Sequence, residues 1–292
     1  MRITQGMISN NMLSNLTKSY SSMNKYMDQL NSGMKITKPS DDPFIAIKGL
    51  GYRSQLLQIE QYSSNTSEVH QWMDNSDGAL ENATKGLQRL KELATQASNG
   101  TNSPSELKNI AEEVKQIKED LIGIANLNVN GKHIFNGADT DKELVTVNSD
   151  KSITIAPSKG PVEISISDGI NLKANVDGDK VFSKDFFDKI DSFIDKLDNG
   201  TGSVDASIAD MDKNIESVIN ARADLGARMN RLDLIENRLS QQEITAKSTM
   251  ANNENVDYEK AITDLLTQET MHRAALSAGS RIIQPSLVDF LR

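Results

Sequence analysis

The chain reads as mainly α, with a small β-rich insert held between two rod-like helical arms. Three observations predict this. Apolar residues recur at alternating steps of three and four near both ends, turn signals crowd only the middle, and the composition is lean in core-forming residues. Of 292 residues, 37% are hydrophobic and 4% aromatic, which suits helices that each bury a thin seam better than a large globular core.

The first seam is Leu13, Leu16, Tyr20, Met23, Met27, Leu30 and Met34, an unbroken a/d alternation with polar residues around it. A helix of roughly thirty residues spans about 45 Å, and one narrow stripe leaves it too little apolar surface to stand alone. Soft methionines on that seam suit contacts with more than one protein neighbour. The helix should stop at Ser32-Gly33, where glycine takes a left-handed C-terminal conformation. In the loop that follows, Asp42 can cap the next helix and Pro43 fits its first turn. The Asp41-Asp42 pair is therefore read as capping rather than as a metal or acid/base site.

From about Phe44 to Ser98 the stripe runs Ile59, Tyr62, Thr66, Val69, Met73, Ser76, Leu80, Ala83, Leu87, Leu90, Ala94, Ala97. A turn at Asn99–Asn102 leads to Ser103-Pro104-Ser105-Glu106, a capping box with proline at its first helical position. Leu107, Ile110, Val114, Ile117, Leu121 and Ile124 continue the pattern. Beyond Asn128 come Asn130-Gly131, Asn136-Gly137, Asp150-Lys151, Lys159-Gly160-Pro161, Asp168-Gly169 and Asp177-Gly178, the last read as a hairpin turn. Short strands are expected at Leu144–Val147, Ile153–Ile155, Val162–Ile166 and Leu172–Val176.

A short amphipathic helix from Ser183 to Asp198 carries Phe186, Phe187, Ile190, Phe193, Ile194 and Leu197, and Asn199-Gly200-Thr201-Gly202 ends it. A long helix returns over about Ser203–Asn252, Asn252–Asn255 reads as a hinge, and a last helix runs from Val256 to about Ile283. This near-palindrome brings both ends of the chain together. The expected segments are 1–42, an N-terminal coiled-coil segment; 43–134, the N-terminal part of the rod; 135–202, a variable β-rich domain; 203–255, the C-terminal part of the rod; and 256–292, a C-terminal coiled-coil segment. Without partners the two terminal segments should be disordered in the monomer, because burial along one seam does not offset the ordering entropy.

Several functions are disfavoured. A net charge of −9 argues against nucleic acid. No apolar run is long enough for a membrane helix, and Met1–Gly6 lacks the apolar core of a cleaved signal peptide. There is no cysteine, so disulfides and thiol chemistry are excluded. His70, His133 and His272 lie far apart, and no metalloprotease, phosphate-loop or nucleophile-elbow motif occurs. No catalytic residue, metal site or cofactor is expected, and His272 reads as an interface or core residue.

The motifs then become familiar. The opening Met1-Arg2-Ile3-Thr4, the segment Leu30-Asn31-Ser32-Gly33-Met34-Lys35-Ile36 and the loop Pro39-Ser40-Asp41-Asp42-Pro43 resemble the bacterial flagellin superfamily. So do Asn128, Gly131, Ile134, Phe135 and Gly137, the run Ala221–Leu232 and Val256-Asp257-Tyr258-Glu259-Lys260-Ala261. The loop prolines and the tail Ser286-Leu287-Val288-Asp289-Phe290-Leu291 are more similar to the members that join hook to filament than to filament flagellins. The likeness covers about residues 1–140 and 203–292, and the β insert matches nothing in it.

The resemblance implies a flagellin-like rod with coiled-coil termini in an axial polymer and an outward-pointing β domain. It further implies a non-catalytic structural adaptor, extracellular in the flagellum and exported without a cleaved signal peptide. The implied partners are further copies of itself, a hook-proximal hook-associated protein, flagellin and a flagellar export chaperone. The expected assembly interface is Leu13, Leu16, Tyr20, Met23, Met27, Leu30 and Met34 with Tyr258, Ile262, Leu265, Leu276, Ile283, Leu287, Phe290 and Leu291. A filament-forming flagellin is the alternative. A surface hydrolase on the same scaffold would need a catalytic constellation in 135–200, where the sequence displays none.

Overall fold

The heptad stripes become seven helices, and the turn-rich middle becomes three small hairpins, in a computed structural model that describes residues 5–99, 102–148, 152–199 and 204–283. The helices are α1 (Gln5–Ser32), α2 (Pro43–Ser98), α3 (Pro104–Ala125), α4 (Gly178–Val181), α5 (Lys184–Asn199), α6 (Asp205–Glu254) and α7 (Tyr258–Ile283). The strands pair as antiparallel hairpins: β1 (Asn128–Val129) with β2 (Lys132–His133), β3 (Val145–Val147) with β4 (Ile153–Ile155), and β5 (Glu163–Ser167) with β6 (Ile170–Lys173). The chain divides into two compact units: one of residues 1–58 and 242–292, the other of residues 59–241. Helices α2 and α6 contribute residues to both.

The unit of residues 59–241 is built on the predicted stripe of α2. Val69, Met73, Leu80, Ala83, Leu87, Leu90 and Ala94 are fully buried, with Ile59 and Ala97 nearly so. Thr66 and Ser76 share that buried row because each hydroxyl donates to a backbone carbonyl of its own helix, Ser63 at 2.8 Å and Trp72 at 2.9 Å. The capping box of α3 is complete: Glu106 N–H donates to the Ser103 hydroxyl at 3.3 Å, and Ser103 N–H donates to the Glu106 carboxylate at 2.6 Å. All six apolar residues expected on α5 are buried. Edge-to-face contacts link Phe135 to Phe182, Phe182 to Phe186 and Phe186 to Phe187, with centroids 5.4, 5.8 and 5.0 Å apart.

The family-like residues after α3 have local reasons. Asn128 accepts from Gly131 N–H at 2.8 Å, and Asn130 and Gly131 both have positive φ, 54° and 83°, which turns β1 into β2 in two residues. Ile134 and Phe135 then enter the core, and the Trp72 indole donates to the Ile134 carbonyl at 3.4 Å. In β5, Ile164 and Ile166 turn inward between exposed Glu163 and Ser165, the expected half-buried alternation. Two arginines of α6 hold this unit together. Arg222 makes a bidentate pair with Asp77 of α2 at 2.9 and 3.0 Å, and Arg228 donates to the carbonyls of Lys173 and Asn175 at 3.0 and 2.9 Å.

Four local expectations need correction. Asp177-Gly178 is not a hairpin turn: it opens the short helix α4, with Lys180 N–H donating to the Asp177 carbonyl at 3.2 Å and Phe182 N–H to that of Gly178 at 2.7 Å. Glycine is required at 178 because a Cβ would collide with the Phe135 carbonyl and the Leu144 side chain. The β1–β2 hairpin is an addition, since two-residue strands leave no alternation to detect. The strand placed at Leu172–Val176 lies at Ile170–Lys173. Asn252–Asn255 is not a hinge as a whole, because α6 stays helical through Glu254. Asn253 donates to the Ile45 carbonyl at 3.1 Å and Glu254 pairs with Arg53 at 2.6 Å, which hold the last turn. The expectations at Met1–Thr4, Gly100-Thr101, Asp150-Lys151, Gly200–Ser203 and Gln284–Arg292 lie outside the described residues.

Candidate functional site

The unit that brings both ends of the chain together is built by α1, α7 and the adjoining ends of α2 and α6. Gly33, at φ +72°, ends α1, and its N–H donates to Gln29 O at 2.9 Å. Met34 and Asn255 form an antiparallel bridge, with Lys35 N–H donating to Glu254 O at 2.7 Å and Val256 N–H to Gly33 O at 2.9 Å. The Lys35 ammonium donates to Asn252 O at 2.6 Å. Asp42 caps α2 by accepting from Phe44 and Ile45 N–H at 3.0 and 3.2 Å. Asp41 accepts from Lys38 and Thr37 N–H at 2.9 and 3.1 Å, and these backbone bonds hold its carboxyl below its ordinary range. Both aspartates are therefore used by the backbone.

Helices α1 and α7 run antiparallel, as the near-palindrome of the sequence predicts. Gly33 lies beside Tyr258, Tyr20 meets His272 edge-on at 5.7 Å, and Met12 covers Gly279 so closely that a Cβ there would overlap its methyl. His272 is thus a packing residue.

The seam predicted on α1 splits in two. Leu16, Met23 and Leu30, seven residues apart, are half-buried with Met12, Ser19 and Tyr26 on the side that meets α7. Leu13, Tyr20, Met27 and Met34, also seven apart, remain 65%, 55%, 47% and 40% exposed. On α7 the covered residues include Ala261, Leu265, His272, Ala275 and Gly279, with the polar Asp264, Gln268 and Glu269 half-buried beside them, whereas Tyr258, Ile262, Leu266 and Leu276 form an exposed row roughly 90° around the helix. Small residues allow the close approach, and the larger apolar side chains are left over. Met12 belongs to the soft methionines that the sequence places on this seam, whereas the packing roles of Ala261 and Gly279 were missed. A small residue recurring at the helical spacing of His272 is the signal that could have found them. Ile283 is the last residue of α7, and Leu287, Phe290 and Leu291 lie outside the described residues.

No described residue of α1 is fully buried, and on α7 only Ala261 and Gly279 are. A helix pair with so little enclosed surface, flanked by two half-exposed apolar rows, is the architecture of an interaction or structural protein rather than of a closed globular core. Among the described residues no helix is long and apolar enough to cross a membrane.

The chain belongs to the bacterial flagellin family, whose N-terminal helical region matches residues 3–140 and whose C-terminal helical region matches residues 208–291. It is 24% identical over 303 residues to flagellar hook-associated protein 3 of Escherichia coli, covering 95% of this chain and 96% of that one. A phase 1 flagellin of Salmonella naestved is 33% identical over 159 residues, covering 54% of this chain but 32% of the flagellin. Among solved structures, the flagellar junction protein of Legionella pneumophila shares the fold with a TM-score of 0.59 at 15% identity, covering 71% of this chain and 100% of that chain.

Proposed function

We propose that the chain is a non-catalytic structural adaptor of the bacterial flagellum, joining the hook, through a hook-proximal hook-associated protein, to the first layer of flagellin. The observation that carries this reading is the pair of apolar rows left half-exposed beside the α1–α7 contact: Leu13, Tyr20 and Met27 on α1 with Met34 just past its end, and Tyr258, Ile262 and Leu276 on α7. Burying such rows between subunits is favourable by about 25 cal/mol per Å² of apolar surface. Head-to-tail contacts of that kind produce an open helical array. The match along nearly the whole length of a hook-associated protein 3 supports the junction role over a filament flagellin, whose likeness stops at about half of this chain.

The assembly interface comprises these rows with Leu16, Met23, Leu30, Leu265, Ile283, Leu287, Phe290 and Leu291. In the free monomer the α1–α7 pair is only marginally held, and the terminal segments 1–42 and 256–292 gain lasting order on assembly. They flank the rod arms 43–134 and 203–255 and an outer domain at 135–202. The protein acts outside the cell, in the flagellum, and is met on the way by an export chaperone that shields the apolar rows.

Seeded polymerisation tests the reading. Monomer added to isolated hooks carrying the hook-proximal adaptor should form a short layer that then accepts flagellin, seen by negative-stain electron microscopy. Long filaments of this chain alone would make it a flagellin instead.

A further inference from the structure

Outside the proposed assembly site, the described residues of 59–241 contain one cluster with the donor set of a metal centre. On α2, His70 and Asp74 are four residues apart and share a face. On α6, Asp233 and Glu236 are three apart and share another. One ligand atom each from His70, Asp233 and Glu236 lie within 4.8 Å of one another. His70 Nδ1 is 3.5 Å from Glu236 Oε1, and His70 Nε2 is 3.5 Å from Asp74 Oδ2.

These separations decide between two arrangements. An N–H···O hydrogen bond closes to 2.7–3.2 Å, so neither contact is a formed one. Two ligands on a tetrahedral ion with bonds of about 2.0–2.1 Å stand roughly 3.3 Å apart. A neutral imidazole has one N–H. If Nε2 carries it toward Asp74, the Nδ1 lone pair faces the Glu236 carboxylate with nothing positive between them. Among the described residues, no lysine or arginine lies within ion-pair distance of Asp74, Asp233 or Glu236, so three negative groups surround one ring. A cation balances this arrangement, and it is either a second proton on the His70 ring, which then donates from both nitrogens, or a metal ion in place of that proton.

We propose that His70, Asp233 and Glu236 bind one divalent transition-metal ion of the zinc class, pinning α2 to α6 within this unit, with water completing the coordination. His70 ligates through Nδ1, and Asp74, 3.5 Å from Nε2, closes on the Nε2–H when the ion binds, which fixes the tautomer and the ring orientation as the usual partner of a metal-bound histidine. One imidazole with two carboxylates favours zinc, cobalt or nickel over magnesium and calcium, which prefer all-oxygen sets. Facing helices of a bundle are a common frame for such sites.

The test is titration of the EDTA-treated full chain with zinc chloride, read by calorimetry and by the imidazole signals in NMR. One zinc per chain should bind, shifting the His70 signals while those of His133 and His272 stay in place, and millimolar magnesium should not displace it. His70→Gln should abolish binding at that site. Asp74→Asn should weaken it about tenfold while leaving stoichiometry unchanged. Zinc should also raise the melting temperature of the wild type and not that of His70→Gln, and EDTA should reverse the rise. Equal zinc binding by wild type and His70→Gln, or a His70 ring that responds to pH but not to zinc, would reduce the cluster to an ion-pair network and overturn the proposal.

Discussion

Residues 59–241 enclose Phe135, Phe182, Phe186, Phe187 and Phe193 together with a continuous row of leucines, each under 2% exposed. The unit of residues 1–58 and 242–292 buries only Gly49, Ala246, Ala261 and Gly279 among its described residues. Both draw on α2 and α6, yet one hides its largest side chains while the other hides its smallest and leaves leucine, isoleucine, tyrosine and methionine in water. The first has the enclosed apolar surface to fold by itself. In the proposed function the second is completed by partners. Folding and assembly are thereby assigned to different parts of one chain, and substitutions should separate them.

The largest expected effect on stability is Phe187→Ala. Emptying a fully buried aromatic site costs about 3–5 kcal/mol, so chemical denaturation should show the unit of 59–241 unfolding at much lower denaturant. A change under 1 kcal/mol would mean this core is not what holds the unit. Gly178→Ala should come next, at about 1–3 kcal/mol, because the new methyl meets the Phe135 carbonyl and Leu144 without room to yield. Ser103→Ala removes half of the capping box and should cost about 1 kcal/mol, read as a shift in the same denaturation midpoint.

Asp177 gives a pH test of the same unit. Burial works against its charge, but hydrogen bonds from Lys173 at 2.5 Å and Lys180 at 2.9 Å prevail and hold its carboxyl below its ordinary 3.8. A carboxyl with a lowered folded pKa adds stability above its unfolded pKa and loses it as pH falls through the folded one. Asp177→Asn should therefore lower stability at neutral pH and flatten the acid limb of the stability profile below about pH 4. A limb as steep as that of the wild type would remove Asp177 from the acid response.

The smallest expected effect on folding falls on the other unit. Leu13→Ala should change monomer unfolding by less than about 0.5 kcal/mol, since Leu13 is 65% exposed. Leu16→Asp and Leu276→Asp should likewise leave residues 59–241 folded, yet abolish incorporation into hook–filament assemblies. Full-length filaments grown over either aspartate variant would break the division between folding and assembly.

The sequence displayed one unit more fully than the other, for a physical reason. The stripe from Ile59 to Ala97 and the apolar face of α5 are buried nearly residue for residue, because one enclosed core leaves one solution to a 3.6-residue pattern. On α1 the same a/d pattern does not say which of its two rows meets the chain's own helix. Leu16, Met23 and Leu30 are half-buried on the side of α7, while Leu13 and Met27 stay exposed and Tyr20 keeps 55% of its surface exposed even with its ring edge on His272. That choice depends on Gly279 and Ala261, small residues with no hydrophobic signal. The helix through Glu254 depends on Arg53, and α4 on a glycine approached by Phe135, contacts between distant parts of the chain. The His70 cluster was hidden for the same reason, its members lying on helices separated by more than 160 positions.

The most direct test of the division is amide hydrogen exchange followed residue by residue, first on the free monomer and then on the chain assembled onto hooks. Ile59–Ser98 and Lys184–Asn199 should be strongly protected in both states, with α1 and α7 protected only after assembly. Protection of α1 and α7 in the free monomer equal to that of the phenylalanine core would contradict it.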